Sequence, residues 1–576
     1  MCVREMTNIA EVFPKGILSP ELYMGEVYSV NASRVQINLT GAGAPSGSYY
    51  LGYRYGKGEV GEFVIIEGQI NLVLGRVIEV WTADKKPGKE KCEAFAKIGM
   101  LGSISMDTLR IITGVKAYPR LGDRVYAAPK TFVSMIPSLM DVNLNNAVSL
   151  SLGSIGTDFQ NKVQIKPEKL FGRHCAILGS TGGGKSWTIS KILEESLCFQ
   201  SKMLLLDATG EYRGMDMDSV THIHLSDPVE IAEKSSKCSL PPTCFIESDF
   251  IALFEPAGKV QGPKLREAIR SLRLAMLFPN HFPEGYVEKI RKNKSTYNNC
   301  LLDPDISHQI NDPKTPFNVK MLVQQIEQEC VYPTGFNDDE AWGKEDGNFA
   351  YCLSLITRIN GALTSQAYSS VFQDEKCFSL IDLIDEFKNN SQKRLLRLDL
   401  SGVSFEYHAR EIIANVIGRH LLNKARNNDY KEAPLLVFVD EAHNFLGKHI
   451  GGEDSVTRLD AFELISKEGR KYGLNICLAS QRPRDITEGV LSQMGTMIVH
   501  RLTNDRDREI IERACGELDR DASSFLPNLK PGEAVIIGCD LPIPLTIQID
   551  KPNKPPKLSG PNYQEFWSES ETKTDS

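Results

Sequence analysis

The stretch Gly179–Ser186 reads GSTGGGKS and fills the spacing G-x-x-x-x-G-K-[ST] in full. Glycines let the backbone curl until its N–H groups point inward at phosphate oxygens, and the helix N-terminus behind them adds partial positive charge. Lys185 is then placed to reach the β- and γ-phosphates of ATP, and Ser186 to offer its hydroxyl to Mg²⁺. Ser180, Thr181, Gly182, Gly183, Gly184 and Trp187 complete the candidate nucleotide-binding set. The alternative is a glycine-rich turn that only joins a strand to a helix. Three consecutive glycines followed by Lys-Ser count against it.

A second constellation lies at Leu435–His443, LLVFVDEAH. An apolar strand there delivers Asp440 and Glu441 to its C-terminal end, where open α/β sheets bind their ligands. Asp440 suits the metal shell and Glu441 the polarising of an attacking water. Gln481, in ASQRP, follows the next strand. It is suited to sensing the γ-phosphate or orienting the water, with an ordinary loop glutamine as the alternative. Asp207 and Glu211 in LLLDATGEY either support the metal shell or a DNA-side loop, or cap a turn.

Phosphoryl transfer gains about 10³–10⁵ in rate from an arginine supplied to the transition state. Arg470 in KEGRKYG and Arg173 in FGRH are the candidates for projecting into a neighbouring subunit's site, with Arg482 and Arg501 as weaker ones. Each has an ordinary surface arginine as its alternative. Two basic clusters stand apart, Lys289, Arg291, Lys292 and Lys294 in one, Lys264, Arg266, Arg270 and Arg273 in the other. The spacing of 266, 270 and 273 puts three arginines on one helical face. That face either meets a phosphate backbone or is simply solvated.

The elements that must hold these residues change in character along the chain. Residues 25–150 read as short alternating strands, including a hairpin within GEFVIIEGQINLVLGRVIEV, and predict a small β-barrel filled by its own side chains. Residues 151–240 and 390–550 alternate apolar strands with helical stretches. They predict an α/β, RecA-like P-loop core with a mostly parallel sheet and helices on both faces. Residues 241–389 read as an inserted helical subdomain. Residues 1–24 form an N-terminal segment. Residues 551–576 are a Pro-, Ser- and charge-rich arm or tail.

Composition narrows the class. The chain has 576 residues, 41% hydrophobic and 24% charged, which predicts several globular domains and excludes a fibrous or mostly disordered protein. No apolar run reaches the ~18 residues of a membrane span. No secretory signal is legible, so cytoplasm is the expected location. The thirteen cysteines include no CxxC pair, which argues against zinc fingers and a disulfide framework. His222 and His224 alternate along a short strand, and a strand is favoured there over a metal site. With 66 basic and 74 acidic side chains, net −8, this is no basic nucleic-acid coat.

Taken in order, RHCAILGSTGGGKS, LLLDATGEY, LLVFVDEAHNFL, SKEGRKYGLNICLASQRP, VLSQMGTMIVHRLTN and PGEAVIIG resemble HerA, the hexameric DNA-translocating ATPases of the HerA/FtsK group of P-loop motors. The likeness runs over most of residues 20–550, and GEFVIIEG and LGRVIEV are similar to that family's barrel. It implies a homo-hexamer with ATP and Mg²⁺ at subunit interfaces and double-stranded DNA in the pore. It implies nucleotide chemistry for Lys185, Ser186, Asp440, Glu441 and Gln481, with Arg173 or Arg470 completing the site from a neighbour. It also implies a partner on the barrel face, a NurA-like nuclease or a defence effector such as a sirtuin-type NAD-consuming protein. DATGEY departs from the usual DPHGEY, which leaves the roles of Asp207 and Glu211 open. Two other readings remain: a nucleotide-gated ring that assembles and activates an effector, and a secretion or conjugation motor. The missing membrane segment argues against the second.

Overall fold

The computed structural model describes residues 16–40, 48–82, 93–106, 110–140, 148–155, 161–228, 230–302, 304–335, 337–369, 371–372, 378–450, 457–515, 523, 525–541, 543–557, 563 and 567. The first fifteen residues of the N-terminal segment and most of the C-terminal arm lie outside them. The chain forms two compact units: Met1–Ser201 with Leu421–Gly447 and Asp460–Pro552, and Lys202–His420 with Lys448–Leu459 and Asn553–Ser576.

The first unit opens with a barrel. Its six strands run in the order Arg34–Leu39, Tyr23–Val30, Arg124–Ala127, Phe63–Ile66, Asn71–Thr82 and Ala94–Ser105, and the last pairs back onto the first. Alternation explains the strands: in Arg34–Leu39 the buried positions are Val35, Ile37 and Leu39. Closure removes the exposed edges that a short sheet would otherwise present. The interior is packed with Val27, Ile37, Val64, Val73, Ile98 and Val125, as a barrel this small requires. The hairpin read from Gly61–Val80 is present, Phe63–Ile66 pairing antiparallel with the next strand. A helix, Lys130–Leu139, follows the barrel where the sequence reading has only strands.

Arg76 fastens the barrel to the rest of the unit. It is buried, donates Nε to the Gly61 carbonyl at 3.0 Å and Nη2 to Thr546 Oγ1 at 3.1 Å, and lies 4.3 Å from the centre of the Phe525 ring.

The second layer of this unit is a sheet in the order Lys162–Ile165, Leu150–Ser154, Leu545–Ile549, Glu533–Ile537, Thr496–His500, Cys175–Leu178, Leu474–Ser480 and Leu435–Val439. The last four are mutually parallel; the others extend the sheet antiparallel. Every residue of Cys175–Leu178 is buried, as expected of a strand covered on both faces.

The other unit holds parallel strands in the order Lys202–Asp207, Leu395–Asp399, Val220–His224, Ser236–Ser239 and Phe378–Ser379. Between Ser236–Ser239 and Phe378–Ser379 in the sequence come the helices Glu247–Phe254, Gly258–Leu277, Leu322–Glu329 and Asp346–Thr364, among others. His222 and His224 sit buried on their strand. His222 Nε2 meets the Met215 carbonyl at 3.0 Å and His224 Nδ1 meets Ser235 Oγ at 2.8 Å. Among the described residues no cluster could hold a metal ion, and no helix is long and apolar enough to cross a membrane.

The arginine face of Gly258–Leu277 is not uniformly solvated. Arg266 is exposed and pairs with Glu247 at 2.5 Å, whereas Arg273 is buried and donates to the Ile310 carbonyl at 3.1 Å. Lys289 of the second cluster is buried too. Its ammonium pairs with Glu329 at 2.6 Å and lies 4.6 Å from the Tyr297 ring centre.

Candidate nucleotide-hydrolysis site

The first unit brings the two sequence constellations to one sheet edge. Cys175–Leu178 ends at the glycine loop, its neighbour Leu474–Ser480 ends at Gln481, and the next strand, Leu435–Val439, ends at Asp440 and Glu441. Three parallel strands thus deliver three polar clusters at their C-terminal ends, the side on which such sheets bind ligands.

The loop closes onto the helix Lys185–Leu197, with Gly184 at φ 116° as its left-handed cap. Lys185 is buried and folds over the loop, donating to the carbonyls of Gly179 at 2.9 Å and Ser180 at 3.2 Å. Thr181 and Gly182 are exposed, while Ser186 and Trp187 are half-buried at the start of the helix. The Lys551 ammonium lies 5.9 Å from the Trp187 ring centre. Gln481 reaches the loop directly: its Oε1 accepts from Thr181 Oγ1 at 2.5 Å. That contact sets Gln481 against the glycine loop.

Asp440 is buried, and its Oδ1 accepts the Glu441 N–H at 3.0 Å. Glu441 itself adopts φ 47° and ψ 45°, a left-handed conformation that costs a residue with a Cβ about 1–3 kcal/mol. Its Oε2 is buried and takes no hydrogen bond; the His443 ring lies 3.3 Å away and in turn meets Ser480 Oγ at 3.3 Å. A buried carboxylate oxygen with an open valence is chemically suited to accept a proton or hold a water.

Arg173 and Arg470 stand apart from this edge. Arg173 precedes the phosphate-loop strand, donates to Cys539 Sγ at 2.9 Å and pairs with Asp540 at 3.3 Å. Arg470, exposed, lies in the turn Gly469–Tyr472 before Leu474–Ser480. Both therefore mark the edge where the strands begin. Between them His174, buried and accepting the Ile476 N–H at 3.1 Å, has its pKa pushed down to about 4, chiefly by burial. Arg501 donates to the Pro527 carbonyl at 3.0 Å, and Arg482 faces Asp485 at 3.8 Å.

Sequence reasoning missed His500, which ends the strand on the other side of Cys175–Leu178. It is fully buried. Nδ1 faces the Glu533 carbonyl at 2.9 Å and Nε2 faces Thr188 Oγ1 at 2.8 Å. Burial pushes its pKa down to about 4, with the Lys185 charge acting in the same direction. Its segment VLSQMGTMIVHRLTN belongs to the family likeness, but no spacing within it singles out the histidine; the pairing of its strand with the phosphate-loop strand does.

Asp207, in the other unit, is fully buried and saturated. Its Oδ1 accepts from Gly210 N at 2.7 Å, and its Oδ2 from Tyr212 N at 3.1 Å and Arg397 Nε at 2.7 Å. Arg397, also fully buried, spans to Asp399 at 2.8 Å. Of the roles left open for Asp207, turn capping is the one its contacts fill. Glu211 follows in the short turn Glu211–Gly214, its carbonyl accepting the Lys557 N–H at 2.8 Å.

The family described as "Helicase HerA, central domain" matches residues 150–327. The DNA double-strand break repair helicase HerA of Sulfolobus acidocaldarius is 24% identical over 457 residues, 78% of this chain and 77% of its own. Its counterpart in Sulfurisphaera tokodaii is 26% identical over 420 residues, 72% of this chain and 71% of its own. Among solved structures, the bacterial conjugative coupling protein TrwBdeltaN70 aligns with a TM-score of 0.44 at 12% identity, over 75% of this chain and 93% of that one. By its likeness to those helicases over about three quarters of its length, the chain is an ATPase similar to the HerA group.

Proposed function

We propose that the chain is an ATP-driven translocase of double-stranded DNA that works as a homo-hexamer beside a partner nuclease or effector. The observation that carries this is the convergence of the glycine loop, Asp440–Glu441 and Gln481 on one sheet edge, with Gln481 bonded to the loop. Gly179–Ser186 cradles the phosphates through its N–H groups, and the Lys185 ammonium leaves the loop carbonyls for the β- and γ-oxygens. Ser186 and Asp440, an alcohol and a buried carboxylate, fit the oxygen-donor set of Mg²⁺, which when bound neutralises phosphate charge. Glu441 takes the proton of the attacking water on its open oxygen, and Gln481 holds the γ-phosphate side of the loop.

The edge on which Arg173 and Arg470 lie supports completion of the site by a neighbour. Even the four-residue strand Cys175–Leu178 spans about 13 Å at ~3.3 Å per residue, so neither arginine faces its own phosphate loop. In a ring, one or both serve the next subunit. The barrel, taken as residues 25–150, docks the partner, whether NurA-like nuclease or sirtuin-type effector. Its outer aromatic row, with Tyr28–Phe95 at 5.2 Å and Trp81–Phe95 at 6.0 Å, supports that use. The helical residues 241–389 are an accessory subdomain.

The test is the ATPase rate with and without linear duplex DNA at two salt concentrations, beside Glu441→Gln. Stimulation that weakens with salt, as phosphate contacts demand, and vanishes in the variant supports the motor. Rings whose hydrolysis ignores DNA would instead identify a nucleotide-gated scaffold, a role the net charge of −8 suits.

A further inference from the structure

The glycines of the phosphate loop leave room on two sides, one for the nucleotide and one for a protein side chain. A Cβ on Gly179 would sit 2.6 Å from His500 Cβ, and one on Gly184 would sit 3.1 Å from His500 Cε1 and 3.2 Å from the Gly532 Cα. The loop therefore wraps the imidazole on the side away from its exposed residues Thr181 and Gly182. The ring is also tied at both nitrogens. With Nδ1 facing the Glu533 carbonyl, the neutral ring carries its proton there and leaves Nε2 to accept from Thr188 Oγ1. Thr188 belongs to the helix that begins at Lys185, and its hydroxyl also lies 3.1 Å from the Gly184 carbonyl. The backbone beside Glu533 returns to the loop, Gly532 N donating to the Gly183 carbonyl at 3.2 Å.

We infer that His500 is a positioning residue for nucleotide binding, a neutral post around which Gly179–Gly184 is bent and to which the first turn of the Lys185 helix is pinned. It touches neither nucleotide nor metal. It acts through the loop by fixing the direction of the N–H groups and the start of the helix. A loop freed from the post samples other curvatures, and the affinity falls by the fraction of time the binding shape is lost. Once ATP is bound, its phosphates hold the loop in place, so the hydrolytic step itself is spared. This rests on reading Gly179–Ser186 as the phosphate cradle.

The experiment uses the full chain and measures affinity for a fluorescent ATP analogue, KM and kcat for ATP, and the melting temperature without ligand. His500→Leu removes both ties; His500→Gln returns an acceptor near Nε2; Thr188→Val removes one hydroxyl and leaves the ring. The expected result is a loss of affinity and a rise in KM of about tenfold for His500→Leu and about threefold for Thr188→Val, each near the loss of one buried hydrogen bond or two. kcat at saturating ATP stays within about twofold, and His500→Gln recovers part of the affinity. The double variant falls short of the product of the single effects, because both remove the same tie. If His500→Leu melts lower yet Thr188→Val binds ATP as the parent does, His500 is only core packing and the inference fails. Lys185→Ala separates the underlying reading: a chain that still binds the analogue without Lys185 has its phosphate site elsewhere.

Discussion

Replacing Arg397 by methionine strands two buried carboxylates. Asp207 and Asp399 end neighbouring strands in register, and one guanidinium with no solvent exposure lies within 2.8 Å of both. Removing one partner of a buried ion pair costs about 3–5 kcal/mol, because the remaining charge has no water to replace it. Asp207→Asn is milder. It keeps one oxygen for the loop N–H groups and loses the charge-assisted bond, about 1–3 kcal/mol. For a unit of this size each kcal/mol moves the melting temperature by about 2–4 °C, so Arg397→Met should melt roughly 10 °C lower and Asp207→Asn roughly half as far. Calorimetry on the full chain reads the shifts. In the same preparations, ATP affinity and kcat per folded molecule at 25 °C should stay within about twofold of the parent. The two losses should also be less than additive, since both break one bond. The refuting result is Asp207→Asn with unchanged melting and a hundredfold loss of kcat. That would make Asp207 a group acting on nucleotide or metal, and its saturation by Gly210, Tyr212 and Arg397 irrelevant.

Acid should weaken the fold before most carboxylates titrate. His174 and His500 hold folded pKa values near 4 against an ordinary 6.5, so between those values the unfolded chain binds more protons. Their contribution is complete above pH 6.5 and is lost as pH falls toward 4, about 3 kcal/mol for each site; a urea midpoint that does not fall between pH 7 and 5 would contradict it. Glu329 accepts from Lys289, Ser271 and Gln325 in a buried cluster, so Glu329→Gln should lower stability by about 3 kcal/mol in denaturant titrations while leaving DNA binding unchanged. In mixed assemblies, a Lys185→Ala chain combined with an Arg173→Ala, Arg470→Ala chain should recover ATPase activity that neither shows alone. Recovery absent at every mixing ratio would remove both arginines from the neighbour's site.

The parts of the site set by short-range rules were legible in the residues. A phosphate loop is a run of eight positions whose backbone demands glycine, and an apolar strand ending in two acids announces itself over seven or eight more. The barrel was legible because alternation such as Arg34–Leu39 reports which side faces inward. What escaped was set by partners distant in sequence. Helical spacing correctly puts Arg266, Arg270 and Arg273 on one face, but only packing against the Ile310 region decides that this face runs into the core at Arg273. Asp207 reads as a candidate metal acid until Arg397 arrives from 190 positions away. His500 lies in VLSQMGTMIVHRLTN, a segment that carries the family likeness but no catalytic spacing, and its meaning comes from the strand beside it and from Thr188, 312 positions earlier.

Arg76 gives the barrel a mechanical character. Its guanidinium is held by Gly61 on the barrel side and by Thr546 and Phe525 on the sheet side. Thr546 lies on the strand Leu545–Ile549, which is laced to Glu533–Ile537, and the turn leading into that strand is bonded to the phosphate loop through Gly532. The barrel and the phosphate loop are thus joined by a continuous run of hydrogen bonds, from Gly61 through Arg76 and Thr546 to the strand pair and on through Gly532 to Gly183, so the guanidinium is a rivet shared by two layers of the unit.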